Sequence, residues 1–207
     1  MNRKFLILTT AVLSLGMAVS GTLAYFTDQG TAHNIITTGG VDIELVETHI
    51  DANGQIGNFP EQGISGIMPG MDISKIVRIK NTGPAAAWVR VKVDTVINMA
   101  DNTDNITDAA GRQPAQDMIT IDFNTTDWIK DGDFYYYHQS LAPDQQTTPL
   151  FTQISFHKNM DNPYQNCTVD VRVSAQATQT ANNDIPQGGS IVNVKGWPDN
   201  DTAAPGN

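Results

Sequence analysis

"CTVDVRVSAQ", residues Cys167–Gln176, has a period of two: Cys167, Val169, Val171, Val173 and Ala175 are small or apolar, and Thr168, Asp170, Arg172 and Ser174 between them are polar. A strand sends successive side chains to opposite faces, so this pattern gives one dry face and one wet face. A helix of the same residues would place Asp170, Arg172 and Ser174 in its apolar side. The stretch therefore predicts a strand lying over a core.

The same period recurs along the chain. "VDIELVE" sets Val41, Ile43 and Leu45 against Asp42 and Glu44. Further strands are expected at Ile73–Lys80, Trp88–Val96, Met118–Phe123, Phe134–Gln139 and Leu150–His157, with a short one at Ile191–Lys195. "DANG" (51–54) ends a strand, "NTGP" (81–84) reads as a hairpin turn, and Asp131-Gly132 reads as the turn joining "WIK" to "DFYYYH". No stretch holds a helical period beyond two turns. About eight half-buried strands with regular turns predict an all-β fold, an antiparallel jelly-roll-like β-sandwich.

The domain is expected to span 25–197, with a polar loop insert at 98–117 and a flexible tail at 198–207. Ahead of it, Arg3 and Lys4 precede an apolar run from Phe5 to Val19 that ends in small residues, the layout of a secretory signal peptide over 1–24. Small residues at Thr22 and Ala24 place the cut between Ala24 and Tyr25; a cut after Ser20 is the alternative. An uncleaved anchor from Phe5 to Phe26 is the rival reading, weakened by Gly, Ser and Thr in its second half. After cleavage no stable membrane span is expected, and the product is secreted, to the extracellular matrix or the cell surface.

The 207 residues carry a net charge of −10, and removing the leader makes the chain more acidic still, because it takes away only Arg3 and Lys4. That balance disfavours nucleic acid and anionic lipid as partners. The single cysteine, Cys167, cannot form an intrachain disulfide and reads as a buried small residue.

Few motifs carry chemistry. None of His33, His49, His138 and His157 begins an H-E-x-x-H zinc motif, and no glutamate follows Glu61. "DNTDNITD" in the insert has oxygen ligands but departs from an EF-hand loop at Thr103 and Ile106 and lacks its closing glutamate, so only adventitious calcium is expected there. There is no G-x-S-x-G, and Cys167 lies in an alternating strand. No catalytic, cofactor or metal residue is assigned. Tyr135 and Tyr137 share a face that either packs in the sandwich or presents aromatic rings to a ligand.

"GTLAYFTD" (21–28), "NIITTGGVDIELVE" (34–47) and "IMPGMDISKIVRIKNTGPAAAWVRV" (67–91) resemble the TasA and camelysin family of secreted Gram-positive proteins. "DWIKDGDFYYYHQSLAPDQQTTPLFTQISF" (127–156) is similar to the later half of many small proteins exported with this type of leader. The resemblance implies a jelly-roll sandwich, a dedicated signal peptidase, and, for the best-known members, fibres of a biofilm matrix. Camelysin-like relatives imply an alternative, a cell-surface metallopeptidase. A carbohydrate- or matrix-binding module is a third reading, by fold analogy.

The leading expectation is a non-enzymatic structural protein whose partners are other copies of itself or other matrix proteins. The candidate assembly strand is the segment bearing Tyr25, Phe26, Ile35 and Ile36, which adds to a neighbour's sheet or folds back as the first strand of its own domain.

Overall fold

The computed structural model describes residues 24–26, 34–38, 40–61, 64–98, 118–160, 164 and 167–198. The leader before Ala24, His33, the insert from 99 to 117 and the tail from 199 lie outside the described residues, as do the side chains of Tyr25, Phe26 and Ile36.

Among the described residues, twelve strands form two sheets: β1 (Ala24–Phe26), β2 (Asn34–Thr38), β3 (Ile43–Ile50), β4 (Ile56–Asn58), β5 (Ile64–Ile67), β6 (Asp72–Asn81), β7 (Ala87–Asn98), β8 (Ile119–Ile121), β9 (Trp128–Asp131), β10 (Phe134–Tyr137), β11 (Phe151–Phe156) and β12 (Thr168–Gln179). The seven-stranded sheet runs β5-β1-β12-β7-β10-β9, with β2 also on β12; the five-stranded sheet runs β4-β3-β6-β11-β8. The two pack as a β-sandwich, as expected.

Its spine is the β7/β12 pair, antiparallel in unbroken register from Thr168↔Asn98 to Gln179↔Ala87. Valines and alanines of both strands meet across it, as in Ala175↔Val91 and Ala177↔Val89, and all four of these side chains are fully buried. Such β-branched and small cross-strand pairs favour a pleated, half-buried surface. The five-stranded sheet supplies Ile43, Leu45, Ile73, Val77, Ile79 and Ile154 to the same core.

The structure departs from the expected layout in four places. β12 pairs in parallel with β1 (Tyr25↔Thr168) and with β2 (Asn34–Thr38 against Ser174–Thr178), so the sandwich is not wholly antiparallel. "NTGP" is no hairpin turn: β6 and β7 belong to different sheets, and the segment carries the chain from one layer to the other. Asn81 holds this crossover, donating from Nδ2 to the carbonyls of Ala85 (2.8 Å) and Leu141 (2.9 Å) and accepting from the Gly83 N–H (3.0 Å). Gly83 is required by close approach, because a Cβ there would lie 2.6 Å from the Asp42 backbone nitrogen.

The β9–β10 hairpin exists, but its register is Asp131↔Phe134, so the loop pair is Gly132-Asp133. Gly132 has φ +54° and Asp133 is not among the positive-φ residues, the pattern of a II′ turn with Gly at its first central position. Lastly, Ile191–Asn193 is a 3-10 turn and not a strand. It belongs to a strap, Asn183 to Pro198, that packs on the outer face of the larger sheet. There Ile191 and Val194 form a second small core with Phe134 and Tyr136, flanked by Trp88, Ile185, Val192 and Trp197.

Candidate functional site

The junction that the sequence marks lies inside a sheet. β1 sits between β12 and β5, with Tyr25 opposite Thr168, Ala24 opposite Ile67 and Phe26 opposite Ile64. β2 continues along the same edge of β12 with Ile35 opposite Ala175 and Ile36 opposite Gln176. Both strands of the candidate assembly segment thus share β12 as a partner, in the same direction, and among the described residues β5 hydrogen-bonds within the sheet to β1 alone. Ile35 is 36% exposed, a large apolar side chain that the domain leaves partly uncovered.

Metal-ligating residues do not converge. A zinc peptidase centre needs three protein ligands and an open position. Among the described residues, no three His, Cys, Asp or Glu side chains lie close enough to share an ion. His138 Nδ1 is 2.7 Å from the Asp127 carbonyl oxygen, so that nitrogen donates, and its Nε2 accepts from the Gln139 side-chain amide at 2.9 Å. His157 Nδ1 accepts the Asn159 N–H. The described residues therefore do not fit a zinc site. Nor is a membrane-crossing helix found among them.

The nearest approach to a cluster is at one end of the core. β6 carries one extra residue against β11 between Ser74 and Val77, a bulge that re-aims its side chains. Lys75, fully buried, reaches Glu47 Oε2 on β3 at 3.0 Å and lies 4.0 Å over the Phe59 ring. His49, two residues along β3, turns its edge to Phe59, and its Nδ1 is buried with no hydrogen-bond partner. A lysine that occupies the carboxylate makes Glu47 a poor metal ligand. The alternation at Ile73–Lys80 hinted at this site only by placing Lys75 on the apolar face.

Opposite β6, Asp122 closes the ladder by accepting the backbone N–H groups of Thr152 (2.8 Å) and Gln153 (2.6 Å).

Tyr135 and Tyr137 face inward. Tyr135 stacks on Phe123 at 4.3 Å between centroids, and Tyr137 packs against Trp128 at 5.1 Å. Each is 6% exposed, so neither offers a glycan-binding face. Burial also raises the Tyr135 pKa above its ordinary value. Tyr136 points the other way, to the strap.

Cys167 is buried, and desolvation pushes its thiol up to about 11. The neutral thiol is the reactive thiolate's unproductive form, so alkylation of the native chain by iodoacetamide at pH 8 is expected to be at least ~100-fold slower than in denaturant. Mass spectrometry checks this, and equal rates would contradict the burial. Because the folded pKa is raised, the stabilisation is complete below the unfolded value near 9 and is lost as pH rises toward about 11.

Two half-buried carboxylates act in the opposite direction. Asp51 is lowered first by the Gln55 backbone N–H, and Asp127 first by the Asn124 side chain. Their stabilisation is present above the usual carboxylate range and is lost as pH falls through the lowered values.

A feature that sequence reading missed is the environment of Arg90, because Arg90 occupies a wet-face position of β7. It is only 9% exposed. Its neighbours across the sheet are Gln176 on β12 and Tyr136 on β10. Nε donates to Gln176 Oε1 at 2.7 Å, Nη1 to the Tyr136 hydroxyl at 3.2 Å and Nη2 to the Pro198 carbonyl at 3.2 Å. The guanidinium also lies 4.0 Å from the Phe134 ring centroid and 4.8 Å from that of Trp197.

No curated protein and no solved structure matches the chain. A family model described as camelysin metallo-endopeptidase matches residues 3–131, a span that runs through the β1 junction and the five-stranded sheet's β3, β4 and β6 to the end of β9. That is more than half of the chain, and it contains the first three blocks on which the resemblance rested, while the fourth, 127–156, runs beyond it. The chain belongs to the camelysin family.

Proposed function

We propose that the mature chain is a secreted, non-enzymatic structural protein of the cell surface or extracellular matrix, and that it assembles by adding its N-terminal segment to the β12 edge of a neighbouring copy. The observation that carries this reading is the parallel placement of β1 and β2 on that edge. A segment bound to an edge by main-chain hydrogen bonds meets the same donors and acceptors on any other copy. Ile35, partly uncovered within the domain, supplies apolar surface for such a contact. The leader supports export, and the strongly acidic composition keeps the unassembled chain soluble.

Deleting residues 25–38 from the mature protein is the test. Electron microscopy and sedimentation of the parent chain are expected to give concentration-dependent polymers, and the deleted chain is expected to stay a folded monomer. A parent chain that is monomeric at every concentration and pH sinks the proposal. A deletion that unfolds the domain assigns the segment to its own sheet alone.

The family description favours a second reading, a cell-surface metallo-endopeptidase. Casein hydrolysis that chelators abolish, with stoichiometric zinc in the purified chain, would put this reading in place of the structural one.

A further inference from the structure

The strap, 183–198, is attached without strand pairing: none of its described residues pairs in a sheet. It is tied instead by side chains: Trp88 Nε1 donates to the Asn183 carbonyl at 2.8 Å, and Arg90 donates to the Pro198 carbonyl at the other end. Between these ties Ile191 and Val194 fill the surface made by Phe134 and Tyr136, and Trp197 packs edge-on against Tyr136 at 5.6 Å. An arginine clamp, aromatic walls and carbonyl acceptors at both ends of an irregular segment make up the chemistry of a bound peptide.

Two details set this contact apart from ordinary core packing. All three acceptors of the buried Arg90 guanidinium are neutral, and no carboxylate pairs with it among the described residues. A peptide carbonyl from any source therefore satisfies it as well as the chain's own Pro198 does. Trp197 Nε1 is buried without a partner, so the fit in cis leaves one donor unsatisfied. The link to β12 is short and exposed, and it turns at Asn182 with φ +63°. Asparagine is among the few residues that adopt this conformation readily.

We propose that the outer face of the larger sheet, built from Trp88, Arg90, Phe134, Tyr136 and Gln176, is a peptide-binding surface, and that the strap of a second copy replaces the chain's own on it. Every copy carries both the surface and its ligand, the condition for exchange of an identical element between protomers. Tethering gives the chain's own strap an effective concentration of roughly millimolar, so exchange is favoured where copies are crowded, as in an assembled material. This inference does not rest on N-terminal strand addition.

The test uses the full mature chain carrying Trp197→Ala, which weakens its own strap, and a fluorescein-labelled peptide of residues 181–198. Saturable anisotropy is expected. Binding should weaken at least ten-fold when the peptide carries Trp197→Ala, and at least ten-fold when the protein also carries Arg90→Met. Absence of saturable binding to a folded Trp197→Ala chain overturns the proposal, and so does equal binding by the Arg90→Met form.

If the Trp197→Ala chain does not fold, hydrogen exchange on the wild-type chain decides. The Asn193 and Val194 amides should then open at least a hundred-fold more often than those of the β7/β12 ladder. Opening only together with that ladder would overturn the proposal. Neither readout contains a polymerisation step, so failure here and failure of strand addition are separate results.

Discussion

Replacing Glu47 with alanine is expected to cost about 3–5 kcal/mol of unfolding free energy, because it removes the carboxylate 3.0 Å from a lysine with no solvent exposure. The loss is large because the ammonium remains behind. Lys75 lies between Ile73 and Val77 on the apolar side of β6, where the Phe59 ring is one of its contacts, and a cation–π contact recovers only a fraction of the solvation that an ammonium gives up.

The same physics predicts a rescue. Glu47→Leu combined with Lys75→Met removes both charges while keeping volume, and it should return stability to within about 1–2 kcal/mol of the parent or exceed it. Urea denaturation of the two single variants and the double variant forms a thermodynamic cycle. A Glu47→Ala loss below about 1 kcal/mol would mean that the pair behaves like a surface salt bridge.

Asn81→Leu is expected to destabilise by about 2–3 kcal/mol, because a side chain of the same branching but greater bulk removes three hydrogen bonds from a fully buried position. The Ala85 carbonyl loses its bond to Asn81 Nδ2, while the Leu141 carbonyl keeps its bond from the Ala87 N–H. Gly83→Ala should have a comparable effect for a different reason: its methyl group would meet backbone, and backbone cannot rotate away. Thermal melts of both variants should fall by several degrees, on the order of 2–4 °C per kcal/mol. If Asn81→Leu were as stable as the parent, the crossover would have to be held by the Thr82 and Gly83 N–H bonds to the Asp42 carbonyl.

These two sites mark where sequence reading succeeded and where it stopped. The strands β3, β6, β7, β11 and β12 were legible because apolar and polar residues alternate along each, a property carried by nearest neighbours in the chain. Partner choice is not. "NTGP" has the chemistry of a tight turn whether the next strand returns beside the last or crosses to the other layer, so the hairpin reading and the crossover share one signal.

The bulge near Lys75 was hidden because an extra residue in a ladder exists only relative to a partner strand. Parallel pairing of β1 and β2 was hidden for the same reason. The strap was misread at Ile191–Lys195 as a short strand, where Ile191, Val192 and Val194 instead join Ile185 and Trp197 in giving an irregular segment an apolar side. For Tyr135 and Tyr137, packing was the correct choice between the two readings, since half-buried strands bury one face by default.

The parallel pairing also constrains the order in which the molecule can be made. Of the described strands, the first two to be synthesised, β1 and β2, both pair with β12, the last, and β1 pairs with β5 as well. Their ladder closes nearly the whole length of the chain, so it forms late and carries the loop entropy of everything between. A chain emerging from its start can complete β3, β4 and β6 locally, but the edge that receives its beginning does not exist until its end has appeared. Until then β1 has only β5 to pair with and β2 has no strand partner among the described residues, so the segment is available to whatever finished edge is nearest.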